Sequence, residues 1–268
     1  NLTRFPMRFR AKRAFFLEGS GVYSFANRSG VTPFFSRRIG LSEGSQIPIT
    51  YGGRLTGQVG DYEIGMINAQ TESLGDIPGE NFNVARIKRS LFRESYLGLV
   101  YTGRSTDADS VYRDQDLLGI DLDLSTSRFK GDKNLDFQAF FVGHSSPKEN
   151  PDATVSDLST RGIRLNYPND LWQAHVSYRE FGKEFDPAVG FNTRNGFKRV
   201  EPSVSYRPRP ENWELIRQME FGIEFEYMTD LDNRLLKRET EFTLFELNFE
   251  SADELSAKVV NSKEYLDK

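Results

Sequence analysis

Apolar side chains recur at every second position over most of this chain, in runs too long for the strands of an ordinary small domain. Residues 118–124 read Leu118-Gly119-Ile120-Asp121-Leu122-Asp123-Leu124, and residues 219–227 read Met219-Glu220-Phe221-Gly222-Ile223-Glu224-Phe225-Glu226-Tyr227. In a strand, successive side chains point to opposite faces, so each run is a ribbon with one apolar side and one wet, often acidic side. About twelve such ribbons can be marked, at 48–58, 60–72, 81–91, 94–104, 116–127, 134–145, 157–167, 170–181, 199–208, 217–229, 237–250 and 254–263, with ends uncertain by about two to four residues.

The connections alternate between short and long. Tight turns fall at Gly60-Asp61, Arg93, Lys130-Gly131-Asp132-Lys133, Pro168-Asn169 and 251–253. Longer links fall at 73–80, 105–115, 146–156, 182–198 and 230–236, and the 208–215 link is intermediate. Ribbons of roughly ten residues joined by turns of unequal length are the signature of an all-β, antiparallel transmembrane β-barrel of the outer-membrane type. A soluble β-sandwich also alternates. Against it stand strands of about 10–12 residues, where the usual length is about 5–6, and the density of charge on the polar faces.

Composition narrows the classes without choosing a function. The 22 Phe and 11 Tyr sit beside a mean hydropathy of −0.56, which suits an apolar exterior around a wet interior. A net charge of −4 gives no footing for a nucleic-acid partner. Without cysteine there is neither a disulfide framework nor thiol chemistry. No apolar run reaches the roughly 18 residues that a helical membrane span requires. The chain starts at Asn1 with no signal peptide, so an exported form is expected to have lost one, or the sequence to be an internal piece.

Charge also divides the chain. Residues 1–47 carry Arg4, Arg8, Arg10, Lys12, Arg13, Arg28, Arg37 and Arg38 against Glu18 and Glu43, so the remainder is acidic. The expected organisation is a basic, irregular, plug-like segment over 1–47 and a barrel region over 48–268. That segment would fold inward as a constriction, serve as a linker, or offer its arginines to anionic headgroups.

Desolvation cost assigns the faces. A basic side chain facing lipid near the midplane costs roughly 2–4 kcal/mol, and an acidic one somewhat less. Asp121, Asp123, Glu220, Glu224 and Glu226 are therefore expected to face an enclosed interior. Leu97, Leu99, Tyr101, Leu118, Ile120, Leu122, Leu124, Ile163, Leu165, Trp172, Val176, Phe221, Ile223 and Phe225 are expected to face lipid. Tyr101, Tyr167, Tyr178, Phe181, Tyr206 and Tyr227, near strand ends, would form aromatic girdles.

Three blocks carry a resemblance: KRAFFLEGSGVYSF (12–25) with FFSRRIGLS (34–42); GGRLTGQVGDYEIGMINAQT (52–71) leading into NFNVARIKRSL (81–91); and FDPAVGFNTRNGFKR (185–199). In this order and spacing they resemble the DUF5916 family, bacterial outer-membrane proteins of uncharacterised function. The resemblance implies a signal peptide, an upstream domain like those of carbohydrate-binding module family 9, and further strands downstream. It implies no catalytic residues.

Candidate interior residues are Arg37 and Arg38 in the basic segment, Arg86 and Lys88 on the third ribbon, and Asp121, Asp123, Glu220, Glu224 and Glu226. Opposed charges across a pore would set a transverse field that selects polar solutes, whereas mutual ion pairing would make the same residues an ordinary wet wall. His144 and His175 lack the cysteines and the HExxH spacing of a zinc site. No GxSxG supports a serine hydrolase. Asp107, Asp109, Asp114 and Asp116 lack the glycine and spacing of a calcium loop. Gly19-Ser20-Gly21 reads as a turn. No cofactor is expected, and enzymatic activity is disfavoured. The expected location is the bacterial outer membrane, with lipid and a polar solute such as an oligosaccharide as partners. A membrane platform for envelope proteins is the alternative, and a barrel-embedded hydrolase comes third.

Overall fold

The structure is a computed structural model that describes residues 20–42, 44–106, 114–145, 150 and 152–265. Twelve long strands follow one another as an antiparallel meander in a single sheet. They are β1 (Ile49–Val59), β2 (Tyr62–Thr71), β3 (Glu80–Leu91), β4 (Ser95–Thr106), β5 (Gln115–Phe129) and β6 (Lys133–His144). Then come β7 (Ser159–Pro168), β8 (Trp172–Phe181), β9 (Phe197–Tyr206), β10 (Ile216–Thr229), β11 (Leu235–Phe249) and β12 (Glu254–Glu264). Each strand pairs only with its neighbours in sequence, so β1 and β12 are the two edges and the sheet does not close on itself. The alternating ribbons thus become strands almost where the pattern placed them.

The tight turns work because their residues tolerate left-handed backbone. Gly60 (φ 57°) closes β1–β2 and Gly131 (φ 107°) closes β5–β6, conformations that cost a glycine little and most other residues more. Asn169 ties two neighbouring turns together: its Oδ1 accepts from the Asn134 backbone N–H at 2.7 Å, and its Nδ2 donates to the Asn134 carbonyl at 2.9 Å.

Cross-strand register sorts the two faces. One row runs Leu97, Leu122, Ala139, Ile163, Tyr178, Val200 and Tyr227 from β4 to β10. A second runs Ile64, Ile87, Leu99, Ile120 and Phe141 from β2 to β6. Among the described residues no element packs over this apolar face. Leu118 is 67% exposed, Leu99 54% and Ile163 53%.

The opposite face carries the core. Its rows include Arg86, Val100, Gly119, Val142, Thr160, Phe181 and Phe197, and beside them Lys88, Gly98, Asp121, Phe140, Gly162, Arg179, Arg199 and Met228. The described part of the basic segment lies on this face. A single turn of 3-10 helix (Ser20–Tyr23) and the residues after it bury Val22, Tyr23, Phe25, Ala26, Val31 and Ile39. Phe181 is a correction to the girdle expectation. It points to the polar face, is 2% exposed, and stacks on Phe197 with centroids 4.8 Å apart.

Glycines make room for the segment. A Cβ at Gly65 would come within 2.7 Å of Val22 Cγ1 and 2.9 Å of Tyr23 Cζ. One at Gly119 would lie 2.9 Å from Val100 and 3.1 Å from Phe25. The sheet is notched where the segment crosses it. Gly65→Val is therefore expected to lift residues 21–39 off an otherwise intact sheet. Faster hydrogen exchange and protease cleavage confined to that segment, with unchanged strand content by circular dichroism, would be the readout.

Candidate functional site

Two features of the polar face carry chemistry: a buried ion pair under the basic segment, and a polar cavity farther along the sheet.

At the first, Arg86 on β3 meets Asp121 on β5, two strands away, across the side-chain-free Gly98 of β4. Arg86 Nη1 donates to Asp121 Oδ1 at 2.6 Å, and Nη2 donates to Oδ2 at 2.9 Å. Both side chains are fully buried. Oδ2 also accepts the Ala26 backbone N–H at 3.0 Å and the Tyr96 hydroxyl at 3.1 Å. Four donors thus occupy a carboxylate with about four lone-pair positions. Phe25 places its ring 5.5 Å from the Arg86 guanidinium carbon and packs edge-on against Phe140. Lys88 Nζ donates to the Gly21 carbonyl at 3.1 Å and to Ser24 Oγ at 2.9 Å. A Cβ at Gly98 would come within 2.6 Å of both Arg86 terminal nitrogens and closer still to Asp121. The glycine is a condition of the pair.

The far side of the segment is held by the 182–196 connection. Val31 and Thr32 pair antiparallel with Asn192 and Phe191. The Phe35 N–H donates to the Val189 carbonyl at 2.8 Å, and Arg38 Nε donates to the Gly190 carbonyl at 3.1 Å. The described parts of the three sequence blocks quoted above therefore meet in space. Arg37 and Arg38 lie in a short 3-10 turn (Ser36–Arg38) against that connection, at the long-loop end of the sheet. His144 serves the same end. Its Nε2 lies 3.2 Å from the Asp186 N–H and the Glu184 carbonyl, and its Nδ1 lies 2.8 Å from the Ser145 carbonyl.

Beyond the segment the polar face is a lattice of charge. Glu220 stands opposite Glu246, Glu224 opposite Glu241, and Glu226 opposite Glu239. Directly opposed like charges destabilise a sheet, and cations from other positions relieve most of the repulsion. Lys237 reaches Glu226 at 2.7 Å and Glu239 at 3.4 Å; Lys258 reaches Glu241 at 3.1 Å. Arg207 reaches Glu220 at 3.0 Å. Arg199 spans Glu201 and Glu226, and Arg179 also pairs with Glu201. Asp123 takes hydrogen bonds from Ser125 and Gln138.

A cavity of about 490 Å³ opens on this lattice, lined by Arg28, Arg164, His175, Ser203, Glu224 and Glu241 among others. Ser203 Oγ and His175 Nδ1 are 2.6 Å apart. No carboxylate orients the other ring nitrogen among the described residues, and the surrounding backbone N–H groups belong to the strand ladder. The pair therefore lacks both the orienting group and the oxyanion donors of a serine nucleophile.

The expected interior residues are thus distributed rather than gathered. Arg86 and Asp121 neutralise each other beneath the segment and meet no solvent. Lys88 holds the segment, Asp123 is hydrogen-bonded, and Glu220 and Glu226 are ion-paired. Glu224 alone of the nine faces the cavity without a cation within 4 Å among the described residues. Pattern reasoning missed Tyr96, Ala26, Arg164 and the pairing of His175 with Ser203. The only sequence signal for the buried pair is the glycine at 98, between Leu97 and Leu99. Asp107 and Asp109 of the acidic loop, and Arg4 to Arg13 of the leader, lie outside the described residues. Asp114 and Asp116 accept hydrogen bonds from the Thr106 N–H and the Tyr101 hydroxyl. No group of metal-binding side chains occurs among the described residues. Compared with known proteins, the chain matches no family model, no curated protein and no solved structure.

Burial reverses one expectation. A wet-wall Asp121 would tolerate Asn, but an Asp121 gripping Arg86 does not. Asp121→Asn or Arg86→Met alone is expected to cost about 3–5 kcal/mol, because each leaves a buried charge without its counterpart. The double variant Arg86→Met/Asp121→Leu should recover part of that loss in denaturant unfolding, the remainder being the Ala26 N–H and the Tyr96 hydroxyl left without their acceptor. Equal losses in the single and double variants would contradict the assignment.

Proposed function

We propose that this chain is the strand-rich part of an outer-membrane β-barrel whose polar face lines a water-filled interior for a hydrophilic solute. The observation that carries the reading is the uncovered apolar face. Large hydrophobic residues lie bare on every strand of the sheet, opposite a face of ion pairs. Soluble monomers rarely expose apolar patches beyond a few hundred Å². Hydrocarbon is the solvent that such a face fits.

The strands are long enough. They hold 10 to 15 residues each, against about 9–11 needed to cross a tilted path through the bilayer. Apart from the 207–215 link, which falls at the short-turn end, the short and long connections segregate to opposite ends, as periplasmic turns and outer loops do. Sheet edges exposed to lipid are not viable, because each unpaired backbone group there costs several kcal/mol. In the membrane, then, β1 and β12 pair with one another or with additional strands. The resemblance to the DUF5916 family agrees with this reading and is the whole basis for naming an oligosaccharide as solute and a bacterial outer membrane as the location.

A second reading has its own support. The segment over residues 20–39 fills the polar face from β2 to β6 and is fastened by a buried pair, which favours a closed platform for an attached domain or envelope partners.

Two measurements separate these readings. Ile120→Arg and Ile223→Arg are expected to block assembly into lipid or detergent, each at a cost of about 2–4 kcal/mol near the midplane, while Glu224→Gln assembles normally. Equal assembly of all three would refute the face assignment. In planar bilayers the passage reading expects solute-dependent conductance that rises when residues 1–47 are deleted. Silence from both forms would leave the platform.

A further inference from the structure

The polar face answers its opposed like charges from within, but the apolar face leaves one such pair unanswered. Across β11 and β12, Arg238 stands directly opposite Lys263. Both residues are exposed, on the face that carries Tyr227, Phe242 and Val259. Like charges in that position repel and destabilise a sheet. On the other face, Arg207, Lys237 and Lys258 relieve the facing glutamates. Neither Arg238 nor Lys263 has an ion-pair partner among the described residues. Lys263 Nζ lies instead 4.8 Å from the Tyr265 ring centroid.

Register sets the height of this pair. One row of paired residues leaves Tyr62 at the short-turn end of β2 and passes Leu97, Ile163 and Val200. It ends at Arg238 and Lys263, near the long-loop ends of β11 and β12. The apolar stretch does not follow that row: it lies between Tyr62 and Met66 on β2 and between Leu255 and Val259 on β12. A band that steps back along successive strands is level when the strands are tilted, as they are in a barrel. On β12, Asn261 follows the band on the same face, and Lys263 follows Asn261. The two cations thus lie just beyond the band on its long-loop side. There, long basic stems can lie along apolar surface with their charges in the headgroup layer. The border continues to Lys198 on β9, whose Nζ donates to the neutral Leu231 carbonyl and the Asn233 side chain. The neighbouring carboxylate, Glu180, is already held by Arg161 at 2.9 Å and by the Tyr178 hydroxyl at 2.7 Å.

We propose that Arg238 and Lys263 dock the phosphate of an anionic phospholipid in the leaflet on the long-loop side. The phosphate sits between guanidinium and ammonium, both of which suit its oxygens. The acyl chains run down the band over Phe242 and Val259. A free anion would gain only the first contact, and a neutral lipid only the second. The proposal rests on the apolar face meeting hydrocarbon, and it names the lipid that this face selects.

Native mass spectrometry of the purified full chain, released from detergent micelles, reads bound lipid and oligomeric state together. From equal concentrations, dioleoylphosphatidylglycerol is expected to be retained at least about fivefold more than dioleoylphosphatidylcholine, and glycerol 3-phosphate is expected not to bind. Arg238→Gln and Lys263→Gln should each lower phosphatidylglycerol retention by about fivefold, the weight of one cation at an anionic membrane surface. Lys130→Gln, in a turn at the opposite end, should change nothing. Without anionic lipid the first two variants should melt no lower than the parent chain, because their repulsion is gone. Equal retention of the two lipids, variants without effect, or glycerol 3-phosphate binding as tightly as the lipid would overturn the proposal. So would variants that lose a dimer rather than lipid, which would make the pair a contact with a second copy. A chain that assembles in detergent without this preference sinks the lipid site and spares the barrel reading. A chain that assembles in neither detergent nor lipid sinks both.

Discussion

A single carboxylate organises the polar face. Asp121 receives both terminal nitrogens of Arg86, the Tyr96 hydroxyl and the backbone N–H of Ala26. Those donors come from β3, β4 and the basic segment, while the acceptor belongs to β5. Neither ion would be tolerable there alone, since burying an isolated charge is far costlier than burying a fully hydrogen-bonded pair. The pair therefore needs the segment as a roof, and the segment needs the pair as an anchor. Gly98 and Gly119 belong to the same constraint, because side chains at those positions would occupy the space that the guanidinium and Phe25 use.

The two faces of the sheet differ in chemistry. On one face, side chains of Leu, Ile, Val, Phe and Trp present themselves without any covering element among the described residues. On the other, glutamates stand opposite glutamates and are relieved by lysines and arginines reaching in from neighbouring positions. Such a lattice tolerates water and would be costly in a dry core. Period-two geometry separates the two environments at every residue, so one substitution changes the uncovered apolar face while the next in sequence changes the face of charges and core.

The covered and uncovered parts of the polar face differ in kind. From β2 to β6 the face is sealed by Val22, Tyr23 and Phe25 over Ile67, Phe82, Val84 and Phe140, with charge present only where it is neutralised. From β7 to β11 the seal continues over Phe181, Phe197 and Met228, and elsewhere the face opens into a cavity lined by Arg28, Arg164 and Glu224. The basic segment belongs to both regions: its apolar residues form the seal, and its Arg28 completes the cavity wall.

The strands, their order and their two faces were legible in the sequence, because alternation and turn residues act between neighbours along the chain. All twelve ribbons formed, with ends shifted by no more than a few residues, and the apolar rows contain the residues that the cost of desolvation assigned to them. What could not be read was which charges meet. Arg86 and Asp121 are 35 residues apart, and Arg28 and Arg164 come from widely separated parts of the described chain. Their distances depend on register and on where the segment crosses the sheet. Phe181 shows the same limit, since its place near a strand end suggested an interfacial girdle until the 182–196 connection folded over it. Local pattern determined which side of the ribbon each residue takes. Only the tertiary structure decided what waits on that side, because long-range pairing and the available space set a charge's partner, and alternation carries neither.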